Sequence, residues 1–219
     1  MPDARTLVLL RHGRTAWNQA RRIQGHADAE LDETGHAQAQ AVAQHVAALR
    51  PVHLWTSDLT RAATTASYVA RACGLEAVAD ARLREYALGS REGWTHDDYA
   101  ARHPEEFAAF RTGDFDVVPD GEGTIAVEKR MRAALLDLLD VTPQGGLSVA
   151  VSHGAALRVV VASLLSWDVD QLRTLGALDN CGWALLTEVP ATGGFRLGAY
   201  NRVAPARGGP GFASRIGVG

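Results

Sequence analysis

The chain is poor in cysteine: Cys73 and Cys181 are the only two in 219 residues. Two are too few for a disulfide framework, and their separation is not that of paired metal ligands, which favours a reducing compartment. Lysine is scarcer still. Lys129 is the only one among 22 basic residues, a bias of a GC-rich coding sequence more than of function. No apolar run is long enough to cross a bilayer: Leu7 to Leu10 is cut off by Arg11, and Val159 to Leu165 is interrupted by Ser163. Without a basic leader ahead of a long apolar stretch, a cytoplasmic home is expected. A formal charge of −3 gives no general attraction to nucleic acid or anionic membrane, so neither partner is expected and any anion selectivity must be local. There is no internal repeat, and no Gly-x-Ser-x-Gly elbow to support a serine hydrolase. Side chains at adjacent helical positions do not converge on one ion, so His96-Asp97-Asp98 reads as a solvated face; neither metal nor cofactor is expected.

The sequence is rich in strand runs that end in chemistry. Thr6 to Leu10 leads into Arg11-His12-Gly13, and Leu147 to Val151 leads into Ser152-His153-Gly154. Each run is short, apolar and rich in β-branched or leucine side chains, and each glycine lets the backbone turn away. Strand ends of this kind are where open α/β sheets build their sites, and two imidazoles could meet there.

Between these runs the pattern alternates. Arg14 to Glu30 reads as a functional loop. Asp32 caps a predicted helix to Leu49 that stops before Pro51. Val52 to Thr56 reads as a strand, and Ser57-Asp58 as caps for a helix from Leu59 to about Ala72, closed by Gly74. Glu76 to Ala79 suits a short third strand. One or two short helices broken by Pro104 are expected over 95–112, then a loop to Gly123. An amphipathic helix over 124–139 turns Ile125, Val127, Met131, Leu135, Leu136, Leu138 and Leu139 inward. A helix follows over 155–165, and Trp183 to Val189 with Phe195 to Tyr200 forms a closing hairpin. Strands alternating with helices predict one α/β domain over 1–203, a mostly parallel central sheet with helices on both faces, and a helical cap insertion at about 86–123. The tail 204–219 is expected to be flexible.

A neutral imidazole can attack phosphorus, and guanidinium groups can fork onto phosphate oxygens without losing their charge. His12 with Arg11 and Arg61 suits that chemistry, protonated His153 would add a third cationic donor, and Glu85 could protonate a leaving alkoxide. Singly these residues carry little. Arg61 fits an ordinary surface position as well as an anion site in a helix's first turn, and Arg82 and Arg84 make a surface charge cluster the default for Glu85. The other six histidines read as surface or hydrogen-bonded residues.

Jointly they are more specific. Arg11-His12-Gly13, Asn18 after a Thr-x-Trp run, Ser57-Asp58-Leu59-x-Arg61-Ala62, Leu83-Arg84-Glu85 and Ser152-His153-Gly154 resemble, in order and spacing, the histidine phosphatase superfamily, also called phosphoglycerate mutase-like. The resemblance runs from Leu7 to Trp183. It implies that His12 accepts the phosphoryl group, that Arg11, Arg61 and His153 bind phosphate, and that Glu85 donates the proton. It also implies that Asn18 lines the pocket and that Gln24 and Gly25 lie in the substrate loop, with Thr15 and Arg14 as further substrate-binding candidates. Two positions depart from the family pattern. Arg14 replaces a usual acid, placing an extra cation near the mouth, and Gly121-Glu122-Gly123 replaces Gly-Glu-Ser.

The residues after Glu85 are largely apolar and similar to the phosphatase branch, which implies a metal-independent hydrolase of small phosphomonoesters. Arg82 to His96 and Asn180 to Trp183 are similar to bacterial enzymes acting on glucosyl-3-phosphoglycerate or on a range of esters. Arg102 and Arg111 could rebuild a mutase clamp, and Tyr86, Trp94, Phe107 and Phe110 could line a sugar cavity. A cofactor-dependent phosphoglycerate mutase and a non-catalytic phospholigand-binding module remain the alternatives, and a homodimer is left open.

Overall fold

The computed structural model describes residues 4–204. Leu7 to Leu10 are all fully buried, because β1 (Thr6–Arg11) lies inside the sheet with both faces covered. Side chains alternate between faces along a strand. Leu7 and Leu9 accordingly join one core cluster, and Val8 and Leu10 the other.

Six strands form one sheet in the order β3-β2-β4-β1-β5-β6. β4 (Leu147–Ser152) runs parallel to β1, with Arg11 opposite Ser152. β2 (His53–Thr56) and β3 (Ala77–Ala79) extend the parallel half. β5 (Trp183–Val189) and β6 (Gly194–Arg202) form the expected hairpin, and β5 pairs antiparallel to β1. The mostly parallel sheet therefore carries an antiparallel edge.

Helix α1 (Ala16–Gln19) is a single turn inside the segment expected to be loop. Helix α2 (Glu33–Ala48) starts where expected, the Asp32 carboxylate accepting from the Gly35 amide. With α3 (Thr60–Cys73) it covers the Val8–Leu10 face, and Gly74 ends α3 in the left-handed conformation, φ 67°. The other face carries α6 (Thr124–Val141) and α7 (Gly154–Leu164). Helices α4 (His96–Arg102) and α5 (Pro104–Arg111) form the cap, with Pro104 opening α5 where no amide is needed. A last short helix, α8 (Val169–Thr174), has no apolar stripe, and the sequence pattern missed it.

Two further expectations need correction. Ser57 and Asp58 do not cap α3: its first residue, Thr60, donates its amide and hydroxyl to Asp28 at 2.8 and 2.6 Å, while Asp58 pairs with Arg84. Ile125 is 79% exposed, because the first turn of α6 projects beyond the core that holds Val127 and Met131. Apart from Ala204, the expected tail lies outside the described residues.

Candidate active site

His12 and His153 each lie one residue beyond the paired positions Arg11 and Ser152, so the parallel register brings both to one sheet edge. Their ring centroids are 5.2 Å apart. The His12 amide donates to the Ser152 carbonyl, and the His12 carbonyl accepts from the Cys181 amide, tying three segments together. After His12 the chain presses against the start of α2. A Cβ on Gly13 would come within 2.6 Å of the Gly35 carbonyl oxygen, so glycine is needed for this approach.

The His12 ring has a defined tautomer. Nδ1 lies 2.7 Å from the Gly13 carbonyl, an acceptor only, so it carries the proton and Nε2 keeps its lone pair. Burial, then the positive charges of Arg61 and Arg11, hold the His12 pKa well below its usual range. A neutral, oriented imidazole is thereby available as a nucleophile.

Arg61 is 1% exposed, which removes the surface-residue alternative. It donates Nε to His153 Nδ1 at 3.2 Å, Nη1 to the Ala27 carbonyl at 2.9 Å and Nη2 to the Gly25 carbonyl at 2.7 Å. Three of its five N–H donors are thus engaged, leaving two for a ligand. Arg11 donates Nη1 to the Leu178 carbonyl, while its buried Nε has no protein partner. His153 differs from the expected third cation. Its Nδ1 accepts from Arg61, its Nε2 faces the Ser57 hydroxyl at 2.9 Å, and burial beside Arg61 pushes its pKa well down. It is a neutral partner that orients Arg61.

The Glu85 carboxylate accepts from the Ala155 and Ala156 amides at 3.1 and 2.8 Å, at the open N-terminus of α7. It follows a short helical turn at Ala81–Leu83, not the strand itself. Its backbone is clamped from the other side: Arg130 Nη2 donates to the Glu85 carbonyl at 2.7 Å, and the same group pairs with Glu122 at 2.7 Å. Glu122 of the departing Gly-Glu-Gly motif therefore anchors the loop carrying Glu85.

Arg11, His12, Arg61 and Glu85 share a cavity of about 360 Å³ with Asn18 and Gln24, whereas His153, fully buried behind Arg61, does not line it. Gly25 also lines it, at φ 53° and so close to Glu92 that a Cβ would collide with that carboxylate. Thr15 does not line it. Fully buried, Thr15 caps α1: its amide donates to Asn18 Oδ1 at 3.0 Å, and its hydroxyl accepts from the Asn18 amide and donates its one proton to Gln24 Oε1 at 3.1 Å, so it positions two residues that do. Arg14 also stays outside. Gly13 turns the chain so that the Arg14 guanidinium pairs with Asp32 at 2.8 Å and with Thr34, correcting the expected cation at the mouth.

The cap closes the cavity with Tyr86, Leu88, Phe110 and Phe115. The expected Trp94 and Phe107 pack in the cap's own aromatic cluster instead. Arg102 stacks over Trp94 and Arg111 over Phe107, and neither lines the cavity to rebuild a clamp. Arg21, Arg22 and Arg158 do line it, and sequence reasoning passed over all three; His96, read as part of a solvated face, lines it too, its ring packed against Phe107 and Phe110. Only the placement of Arg21 and Arg22 beside Asn18 hinted at this. Among the described residues no cluster of histidine, cysteine and carboxylate side chains suits a metal, and no helix is long and apolar enough to cross a membrane. A larger hollow of about 610 Å³, between α2 and Cys181, holds none of the proposed catalytic groups.

Comparison with known proteins shows the family. Residues 7–202 match the model of the histidine phosphatase superfamily, branch 1. A probable phosphoglycerate mutase GpmB from Erwinia tasmaniensis is 40% identical over 176 residues, which are 80% of this chain and 81% of that relative. Among solved structures, a mycobacterial glucosyl-3-phosphoglycerate phosphatase in complex with VO3 is similar at TM-score 0.85 and 34% identity, over 90% of this chain and 99% of that one. YhfR of Bacillus stearothermophilus is similar at TM-score 0.83 and 30% identity, over 91% and 98%. Fold and relatives converge: this chain is an enzyme belonging to the histidine phosphatase superfamily.

Proposed function

We propose that the chain hydrolyses small phosphomonoesters through a phosphohistidine on His12. The observation that carries this reading is the fixed tautomer of His12, neutral and flanked by Arg11 and Arg61. The substrate's phosphoryl oxygens sit against the two guanidiniums and Asn18, which offset the charge that would otherwise repel a nucleophile. His12 Nε2 attacks phosphorus, the P–N bond forms and the P–O bond breaks. Glu85 gives its proton to the departing alkoxide oxygen. In the second half, the Glu85 carboxylate takes a proton from water as that water attacks phosphorus, and the P–N bond breaks to regenerate His12. No step draws on a metal.

The substrate class is a small phosphorylated metabolite, with glucosyl-3-phosphoglycerate as the leading candidate. Supporting it are the likeness to the mycobacterial phosphatase and a cavity whose cap offers aromatic and aliphatic surface beside polar groups. The relatives named as phosphoglycerate mutases favour a second reading, in which phosphohistidine returns its phosphoryl group to a bound sugar acid.

One panel separates the two. Purified chain in EDTA is given p-nitrophenyl phosphate, glucosyl-3-phosphoglycerate and 3-phosphoglycerate, and both inorganic phosphate and 2-phosphoglycerate are measured. Phosphate release from the esters supports hydrolysis; isomerisation without release replaces it with the mutase. A strict requirement for added metal would remove the mechanism in either form.

A further inference from the structure

Three neighbouring parallel strands end in a row of polar side chains. His12 and His153 follow the ends of β1 and β4, and β2 ends beside them at Thr56, which pairs with Val151. The Ser57 amide continues that register by donating to the Val151 carbonyl at 2.9 Å. In the strand order β2-β4-β1, Ser57 therefore stands at the same sheet edge, on the other side of His153 from His12. Ser57 is fully buried, and neither helix capping nor the proposed phosphoryl transfer accounts for its hydroxyl.

The hydrogen bonds of His153 allow one placement of its proton. Arg61 Nε donates and never accepts, so His153 Nδ1, 3.2 Å away, must offer its lone pair. Burial, then the charge of Arg61, holds the ring neutral. Its single proton is thus on Nε2, and the acceptor is the Ser57 hydroxyl oxygen at 2.9 Å. That oxygen also receives the Leu59 amide, at 3.3 Å, so both of its lone pairs are taken and its orientation is set. His12, its ring centroid 5.2 Å from that of His153, is the reverse case, with Nδ1 protonated and Nε2 free. The two imidazoles hold opposite tautomers.

We propose that Ser57 is a positioning residue of the active site: it selects the tautomer of His153 and, through that ring, fixes the plane of the Arg61 guanidinium. Arg61 Nη1 and Nη2 each give one hydrogen to a loop carbonyl, of Ala27 and Gly25, and each keep one. The two hydrogens that remain for a ligand share the guanidinium plane, so turning that plane misdirects both. Nε is the point at which the guanidinium is tied to the sheet edge. Without the Ser57 oxygen, the His153 Nε2–H is a buried donor with no acceptor, which is costly. The ring relieves this by turning, or by moving the proton to Nδ1, where it would face another donor. Either way Arg61 Nε loses its partner. The effect on turnover rests on the proposed hydrolase reading, whereas the tautomer is a property of the folded chain alone.

The first arm of the test needs neither a substitution nor a substrate. Long-range proton–nitrogen correlation spectra of the isotope-labelled chain near neutral pH should show two neutral imidazoles, His153 protonated on Nε2 and His12 on Nδ1. A His153 protonated on Nδ1, or on both nitrogens, overturns the proposal by itself. In Ser57→Ala the His153 signals should move toward the other tautomer or broaden between the two. Affinity for inorganic phosphate, measured calorimetrically, should fall roughly tenfold, the scale of one misdirected charge-assisted hydrogen bond. Ser57→Cys, close in volume and a far weaker acceptor, gives the same reading if Ser57→Ala does not fold. In a chain already carrying Arg61→Lys, the change at Ser57 should cost little more, because its route runs through Arg61. If Ser57 only fills space, the His153 signals stay as in the parent, or phosphate affinity falls by the same factor with Arg61 and without it; either result overturns the positioning role. Turnover of p-nitrophenyl phosphate is followed separately, and kcat/KM should drop by about 10–100-fold in Ser57→Ala. No turnover by the unaltered chain would end the hydrolase reading, while the tautomer and the phosphate affinity would still decide the role of Ser57.

Discussion

The floor of the cavity and its cap are built by different physics. The floor is the joined edge of β1 and β4, where Leu7 to Leu10 and Val149 to Val151 are fully buried and the reacting groups extend directly from the strand ends. The cap has two helices of 7 and 8 residues, held by the Arg91–Glu106 pair at 2.8 Å and by the stacking of the Arg91 and Arg102 guanidiniums on Trp94. Helices that short are marginal alone and depend on such contacts. The proposed reacting groups thus stand on a deeply buried floor, while the wall facing the rest of the cavity is carried by short helices that side-chain contacts hold in place.

Substitutions in the two regions should therefore fail in different ways. The largest effect belongs to the floor: His12→Ala should cut phosphate release on the order of 10⁴-fold or more, with the thermal midpoint little changed. Residual turnover within tenfold of the parent would place the nucleophile elsewhere. Glu85 bridges the two regions. Glu85→Gln should slow alkyl phosphates by about 10²–10⁴-fold but barely affect p-nitrophenyl phosphate, whose leaving group needs no acid. Equal losses on both esters would deny it the proton-donor role.

Acid should act on the floor through stability. The folded-state pKa values of His12 and His153 lie below the value of 6.5 for a free imidazole, so below that pH the unfolded chain binds more protons than the folded one. Stability should fall as pH drops through about 6.5, by up to about 1.4 kcal/mol per unit for each ring. Urea melts at several pH values, compared with the His12→Ala chain, would reveal this; identical slopes would show that His12 is not held neutral. Gly13→Ala should cost about 1–3 kcal/mol by forcing the Gly35 backbone away, lowering the midpoint by several degrees. An unchanged midpoint would mean that the approach of the two segments is not tight. The smallest effect is expected from the cap. Arg91→Gln should speed hydrogen exchange over 96–111 and raise KM a few-fold, with kcat within about tenfold of the parent. A collapse of kcat would show that floor and cap are not separable.

The same division explains what could be read from the sequence. Arg11, His12 and His153 were legible because the warrant is local: a strand run, a reactive residue and a glycine turn. Parallel pairing in register then brings the two ends together without further information. Arg61 was legible only as half of a choice, since nothing local told that Gly25 and Ala27 would supply carbonyls to a fully buried guanidinium. Arg14 was misplaced because proximity in sequence does not say which way Gly13 sends the chain. Arg158 was invisible inside a helix that reads as core, where its meaning depends on the loop and cap opposite it. The charge of His153 was not legible for a related reason: protonation depends on burial and on Arg61, and neither is written at position 153.

The most direct test is to quench the reaction in base within its first turnovers and sequence the phosphorylated peptide, because an N-linked phosphoryl group survives base and is lost in acid. The mechanism requires one phosphoryl group per chain, on the peptide spanning His12, and none in the His12→Ala chain. Turnover that proceeds with no phosphorylated peptide, or with the label on another residue, would contradict it.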